Sequence, residues 1–112
     1  MNGKHAFMSA GTPPRKETFK GVTIKPLAGQ HAMIMHAELA PGVEVPIHSH
    51  PHEQLGIVIE GELDFRIADE ERRLRPGDMY TIPGGTPHGL RTGKERVVLA
   101  EFFHPIREEY FK

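Results

Sequence analysis

Along most of the chain, apolar and polar residues alternate in short runs that proline and glycine interrupt. A period of two is typical of a β-strand with one buried and one solvent-exposed face. The run Leu63, Phe65 and Ile67, with polar residues between them, is a clear case. Nine such runs predict strands over 22–27, 33–39, 43–48, 54–60, 63–68, 72–75, 79–83, 88–92 and 96–103. The pattern predicts an all-β barrel or sandwich, with at most one short helical turn within 105–112.

Two features refine this prediction. Pro41-Gly42 and Pro76-Gly77 carry proline and glycine where a type II turn prefers them, at its second and third positions. The run 55–59 is apolar at both alternating sets of positions, so its outer face is expected to be covered by a second copy or by the N-terminal segment. Residues 1–20 are polar and interrupted by Gly11, Pro13 and Pro14, which predicts an N-terminal arm before a barrel over 21–112.

Size and charge narrow the classes of function. A chain of 112 residues is long enough for one domain with one modest core. With 14 basic and 15 acidic residues, no global field favours nucleic acid or anionic lipid, so the expected partners are a small molecule and a second copy in a homodimer. The chain has no cysteine, which excludes disulfides and thiolate zinc sites. It contains no apolar run of about 20 residues, and its first twelve residues lack the apolar block of a signal peptide, so a cytoplasmic location is expected.

Two histidine-containing motifs carry the chemistry. In the first, Gly42-x5-His48-x-His50-x3-Gln54-x6-Gly61, the two histidines are two residues apart and therefore turn to the same face of an extended chain. In the second, Gly77-x5-Pro83-x-Gly85-x2-His88, a third imidazole can close the group from another strand. Nickel, zinc, manganese, iron, cobalt and copper all accept imidazole, so the motifs predict a divalent transition-metal site.

Together the two motifs resemble those of the cupin superfamily, G-x5-H-x-H-x3-4-E-x6-G and G-x5-P-x-G-x2-H-x3-N. Eight of the ten fixed positions match; Gln54 stands in place of glutamate and Thr92 in place of asparagine. The resemblance implies a single-domain cupin of the RmlC-like type, a double-stranded β-helix or jelly-roll barrel, with His48, His50, His88 and the residue at position 54 as metal ligands.

The neutral side chain of Gln54 changes the expected chemistry. It can supply a carbonyl oxygen but leaves the full double charge on the metal, which makes the metal a stronger Lewis acid and its binding weaker. Strand alternation favours Gln54 over its neighbour Glu53, although Glu53 and a site of three histidines alone remain alternatives. His52 is expected at the rim. A histidine pocket without metal is the remaining alternative, in which the imidazoles need other partners.

The last predicted strand sets Glu101 among apolar residues of one face. Burial would raise the pKa of this carboxyl group and suit it to proton transfer near neutral pH; the alternative is an inverted strand with Glu101 on the surface, paired to an arginine. Arg107 follows six residues later. Tyr80 and Arg91 are candidates for the pocket mouth or ordinary barrel residues.

The chain also resembles the small cupins of pectin and alginate breakdown, which open unsaturated uronates. The shared features are a histidine site completed by glutamine, a closing histidine, and an acidic residue followed six positions later by arginine. The resemblance implies that Glu101 and Arg107 are catalytic, with Glu101 in place of an aspartate, which shifts the carboxylate by about one methylene.

Three classes of function therefore stay open. The first is a metal-dependent enzyme that opens the ring of an unsaturated uronate or acts on a similar oxygen-rich anion. The second is a non-haem metal dioxygenase or a lyase, although a neutral Gln54 argues against iron oxygen chemistry. The third is a non-catalytic cupin that binds a sugar or metabolite.

Overall fold

The computed structural model describes residues 6–112, which form ten β-strands and one short 3-10 turn. The strands are β1 (Lys16–Phe19), β2 (Val22–Ala28), β3 (Met33–Leu39), β4 (Glu44–His48), β5 (Glu53–Glu60), β6 (Leu63–Ile67), β7 (Glu70–Leu74), β8 (Met79–Ile82), β9 (His88–Thr92) and β10 (Val97–His104). The 3-10 turn spans Glu108–Phe111.

The strands form two antiparallel sheets. One has six strands in the order β1-β2-β3-β10-β5-β8, and the other has four in the order β4-β9-β6-β7. Neighbours in the sheets are often distant in sequence; β10, for example, pairs with both β3 and β5. The two sheets enclose one core in a jelly-roll arrangement, which confirms the predicted all-β fold class.

Alternating burial along the strands produces this core. In β2 and β3 every second residue is buried and the residues between are more exposed, as the period-two pattern predicts. The most deeply buried side chains come from both sheets: Ile24, Leu39, Val58, Leu63, Ile82, Val97, Leu99 and Phe103. This core fixes the strands that carry the polar residues at one end of the molecule.

Both predicted proline-glycine turns have the expected glycine conformation. The φ angles of Gly42 and Gly77 are +72° and +95°, values that a type II turn requires at its third position. In the second turn the amide of Asp78 donates to the carbonyl oxygen of Arg75 at 2.9 Å, which closes the turn. Glycine is needed here because other residues rarely adopt positive φ.

The N-terminal segment contributes an element that its polarity did not predict. Residues 16–19, assigned to the arm, form β1 and pair with β2, so the six-stranded sheet begins before residue 21. The Arg15 guanidinium donates to the carbonyl oxygen of Phe111, and the Lys16 ammonium donates to that of Glu109 at 3.0 Å. The start of the arm, residues 1–5, lies outside the described part of the chain.

The outer face of β5 is open to solvent in the single chain. Leu55 and Ile59 are 43% and 52% exposed. The described part of the N-terminal segment pairs with β2 and does not cover this face. Between residues 6 and 112 there is no helix with the length and apolarity needed to cross a membrane.

Candidate metal centre

Three histidines converge at one end of the sandwich. His48 ends β4 and is paired in register with His88 at the start of β9, and His50 follows in the loop to β5. One ring nitrogen of each histidine lies within 4.8 Å of those of the other two. The His88 ring centroid is 4.5 Å from that of His48 and 4.9 Å from that of His50. The spacing predicted from the two motifs therefore produces a cluster that can hold a metal ion.

Backbone carbonyl groups orient two of the imidazoles. Nδ1 of His48 donates to the carbonyl oxygen of Pro46 at 2.8 Å, and Nδ1 of His88 donates to that of Thr86 at 2.9 Å. A proton held on Nδ1 leaves Nε2 with a free lone pair, which is the form that binds metals.

Gln54 lies beside the histidines, and Glu53 does not. Gln54 is 5% exposed, with its Oε1 atom 3.0 Å from Nε2 of His50. Metal bonds to nitrogen and oxygen are about 2.1 Å long, so two ligands of one ion lie about 3 Å apart. Glu53 is exposed on the opposite face of β5. The strand-alternation argument thus identifies the residue that accompanies the histidines.

The surroundings of His50 and His88 favour the neutral form of their imidazoles. Burial and the positive charge of Arg107 lower the pKa of His50 to about 4. Burial also lowers the pKa of His88, and the neighbouring His48 adds to this effect. Neutral imidazole is the ligand form, so protons compete weakly with a metal at this site.

Glu101 is buried inside the barrel, as one of the two predicted strand orientations required. Its Oε2 atom accepts hydrogen bonds from the hydroxyl group of Tyr80 at 2.7 Å and from Nε2 of Gln54 at 2.6 Å. Burial raises the pKa of Glu101, and these two hydrogen bonds oppose the rise. Its Oε1 atom accepts no hydrogen bond from any residue between 6 and 112.

Arg107 lies close to the same site. Its guanidinium group is 4.3 Å from the ring centroid of Tyr110 and 5.2 Å from that of Phe103. It also forms an ion pair with Glu109 at 2.9 Å, a partner that sequence reasoning did not identify. The aromatic rings and the ion pair hold the positively charged Arg107 side chain, which is 12% exposed, at the edge of the cavity.

One cavity joins these groups. It has a volume of about 50 Å³, and its lining includes Phe19, His48, Gln54, His88, Glu101 and Arg107. A water molecule needs roughly 10 to 15 Å³ measured in this way. The cavity therefore has room for a few waters or for a group of the size of a carboxylate.

Tyr80 and Arg91, the two candidates for the pocket mouth, lie elsewhere. Tyr80 is buried and bonded to Glu101, and burial raises its pKa well above the ordinary value. Arg91 lies on the outer surface, paired with Glu71 at 3.2 Å. Phe19, from the segment that was assigned to the arm, contacts the site with its ring centroid 5.5 Å from that of His48. His52 is half-buried next to His50, with a ring separation of 5.6 Å.

The residues present suit a transition metal. Three neutral imidazoles and an amide oxygen are a mixed nitrogen and oxygen donor set that nickel, zinc, cobalt, manganese and iron accept. Nδ1 of His50 is buried without a hydrogen-bond partner among the described residues. No protein group among those residues therefore binds this nitrogen in place of a metal.

Solved structures with the same fold include a KdgF protein and an RmlC-like cupin. The structure of KdgF from Halomonas sp. matches with a TM-score of 0.78 and 27% identity, over 84% of this chain and 87% of that one. An RmlC-like cupin from Shewanella frigidimarina matches with a TM-score of 0.89 and 23% identity, over 98% of this chain and 99% of that one. The second likeness concerns the fold alone.

Two curated relatives differ in their function and in their length. The pectin degradation protein KdgF of Dickeya dadantii is 30% identical over 79 residues, which are 70% of this chain and 72% of the relative. The dimethylsulfoniopropionate lyase DddQ of Ruegeria pomeroyi is 40% identical over 52 residues, which are 46% of this chain and 26% of the lyase. This chain thus spans only about a quarter of the lyase.

The sequence profile of the cupin domain family matches residues 35–103, which include both histidine motifs and the strand that carries Glu101. With the jelly-roll fold and the histidine cluster already described, this match shows that the chain belongs to the cupin family.

Proposed function

We propose that this protein is a metal-dependent enzyme that opens the ring of an unsaturated uronate. The observation that carries the proposal is that Glu101 and Arg107 line the same small cavity as His48, His88 and Gln54. The likeness to the pectin degradation protein KdgF supports the substrate class. In this proposal His48, His50, Gln54 and His88 hold the metal, and Glu101 and Arg107 act on the substrate.

The charges of the site suit an anionic substrate. Arg107 carries a positive charge at the edge of the cavity, where it is also paired with Glu109. Among the described residues that line the cavity, the histidines and Gln54 add no negative charge, and Glu101 is the one carboxyl group. A guanidinium group can bind a carboxylate through two parallel hydrogen bonds. A divalent metal bound to the histidines would supply further positive charge for the substrate carboxylate and for an oxygen that becomes negative during the reaction. We infer that the carboxylate end of the sugar acid enters the cavity, because a volume of about 50 Å³ does not admit a whole ring.

Ring opening requires two proton transfers and no redox cofactor. The hydroxyl group on the anomeric carbon loses its proton, the bond between that carbon and the ring oxygen breaks, and the far carbon of the double bond gains a proton. The product is an isomer of the substrate, so atoms and electrons balance. Glu101 can take the first proton on Oε1 and return one to the carbon, because Oε2 is held by Tyr80 and Gln54.

The test is an assay of unsaturated galacturonate, followed by the loss of absorbance of its conjugated double bond. Wild-type protein loaded with metal is expected to accelerate this loss. Glu101→Gln, assayed at saturating metal, is expected to lower kcat about 100-fold or more, the usual contribution of an acid-base group. His88→Ala is the control that lacks a metal ligand. A wild-type protein that binds metal but does not accelerate the loss would overturn the substrate assignment.

The match to dimethylsulfoniopropionate lyase supports a second candidate, a lyase for a small carboxylate. Such a reaction would use the same base, Glu101, to remove a proton from carbon. The same variants assayed with dimethylsulfoniopropionate separate the two reactions. Binding of either compound with no turnover would instead favour the non-catalytic class.

We also propose that the protein is a homodimer that forms through the outer face of the six-stranded sheet. Phe102 of β10 lies in register between Ile34 of β3 and Leu55 of β5, and these three side chains are 38%, 43% and 43% exposed. Met79 of β8 extends the apolar face next to Ile57. The outer face of the other sheet is charged, with ion pairs such as Arg73 with Asp64.

A cytoplasmic location stays a prediction.

A further inference from the structure

A row of inward-facing residues crosses three strands beside the histidines. Tyr80 of β8 is paired in register with Gly56 of β5, and Gly56 is paired with Glu101 of β10. Adjacent strands are about 4.8 Å apart, so the backbones of Tyr80 and Glu101 are roughly 10 Å from each other. Only a long side chain that passes over the middle strand can bridge this gap. The hydroxyl group of Tyr80 does so and lies 2.7 Å from Oε2 of Glu101.

Gly56 provides the space for this bridge. A Cβ atom at this position would lie 2.2 to 2.5 Å from three atoms at the hydroxyl end of the Tyr80 side chain. Glycine weakens the interior of a strand and often marks a close approach of another group. Here that group is the Tyr80 ring, which also packs against Phe65 with a centroid distance of 4.5 Å. The glycine and the tyrosine together deliver a hydrogen-bond donor to Glu101.

The carboxylate of Glu101 in turn determines the orientation of the Gln54 amide. Both Tyr80 and Gln54 donate to the same oxygen, Oε2. An oxygen that already accepts a hydroxyl donor favours the nitrogen end of the amide, not its oxygen end. The carbonyl oxygen of Gln54 is then directed to His50, and the observed distance of 3.0 Å to Nε2 agrees with this.

We propose that Glu101, in addition to the proton transfer proposed for its Oε1 atom, uses its Oε2 atom, fixed by Tyr80 across Gly56, to hold the Gln54 amide with its oxygen toward the metal-binding histidines. This deepens the proposed metal site and rests on it. It also gives a physical reason for glutamine at position 54, since the cupin motif has glutamate there. A glutamate would place a second carboxylate about 2.6 Å from that of Glu101, where their like charges would repel. In this chain the negative charge that the motif's glutamate would carry at position 54 lies instead on Glu101, which is hydrogen-bonded to Gln54.

Exchange of the two residues tests this pairing. The proteins to compare are wild type, Gln54→Glu, Glu101→Gln and the double variant, with Co²⁺ affinity measured by calorimetry and the site monitored by the Co²⁺ absorption spectrum. Glu101→Gln is expected to weaken Co²⁺ binding about 10-fold, because an amide at 101 can pair with either end of the Gln54 amide. The double variant is expected to recover most of this loss, because its carboxylate again has one amide donor.

Metal-free protein gives an independent measurement. At pH 8, Gln54→Glu is expected to lower Tm, because two carboxylates then meet in a buried site, and adding Glu101→Gln is expected to restore it. Tyr80→Phe removes a single oxygen at constant shape and is expected to weaken Co²⁺ binding 3- to 10-fold and to alter the Co²⁺ spectrum. This variant keeps the proposal testable if a double variant fails to fold.

The proposal would be overturned if Glu101→Gln and Tyr80→Phe bound Co²⁺ with wild-type affinity and spectrum. It would also be overturned if the changes in Tm caused by Gln54→Glu and by Glu101→Gln were additive in the double variant. Failure of the proposed function looks different. If uronates are not turned over while the exchange behaves as expected, the substrate is wrong and the pairing stands. If wild type binds no Co²⁺, the metal centre and the directing role of Glu101 both fail.

Discussion

Thr92 stands where the second cupin motif has asparagine, and its hydroxyl group makes two hydrogen bonds. Oγ1 accepts from the amide of Val43 at 2.8 Å and donates to the carbonyl oxygen of Ala40 at 2.7 Å. The hydroxyl group thereby ties the end of β9 to the turn that precedes β4. At the scale of single residues, this departure from the motif keeps a polar group that can both donate and accept, which is the property that the turn needs.

Thr92→Val keeps the shape of the side chain and removes the hydroxyl group. The buried amide of Val43 would then lose its acceptor, so the free energy of unfolding is expected to fall by about 1 to 3 kcal/mol. Urea unfolding measures this change. Thr92→Ser, which keeps the hydroxyl group and loses only a methyl group, should be less destabilising. Equal stability of the valine variant and wild type would show that the two hydrogen bonds contribute nothing net.

At the scale of elements, an irregularity in β4 directs His48 into the site. Val45 of β4 pairs with Leu90 of β9, and His48 pairs with His88, so three steps along β4 match two along β9. Such a β-bulge changes which residues face inward. Val45 is buried, Ile47 is 56% exposed, and His48 turns inward although regular alternation from Val45 would send it outward. Gly89 allows the close approach, since a Cβ there would lie 2.7 Å from the carbonyl oxygen of Val45.

The sequence predicts much of the fold and part of the site. The sequence pattern locates nine of the strands within a few residues, because most of them bury one face in the core; in β7 only Leu74 is buried. It misses β1, because the polar and partly exposed side chains of Lys16 and Glu17 carry no such pattern. The hydrogen bond between Tyr80 and Glu101 depends on the register of three strands that are far apart in sequence, and no local pattern specifies that register.

At the scale of the whole molecule, the two sheets have different outer surfaces. The six-stranded sheet exposes the apolar row of Ile34, Phe102 and Leu55, whereas the four-stranded sheet exposes paired charges. An apolar surface of this kind on one side only is typical of an interface. Strand β1 contacts the C-terminal 3-10 turn elsewhere, where the Lys16 ammonium donates to the carbonyl oxygen of Glu109 at 3.0 Å.

Phe102→Glu tests the proposed dimer. A charge at the centre of the apolar row is expected to weaken association at least about 30-fold, the effect of losing a central contact worth about 2 kcal/mol. Light scattering after size-exclusion chromatography measures the mass. Glu44→Lys, on the exposed outer face of the other sheet, should leave the dimer unchanged. A wild-type protein that is monomeric at high concentration would contradict the proposed interface.

The measurement that tests the central claim most directly is the metal content of the protein after dialysis against Ni²⁺ or Co²⁺ and removal of the free ion. About one bound ion per chain is expected for wild type and for His36→Ala, since His36 lies on β3 outside the histidine cluster. Loss of that ion is expected for His50→Ala and for His88→Ala, because each removes a member of the cluster. Wild-type protein without bound ion, or equal metal content in all four proteins, would contradict a metal centre at these histidines.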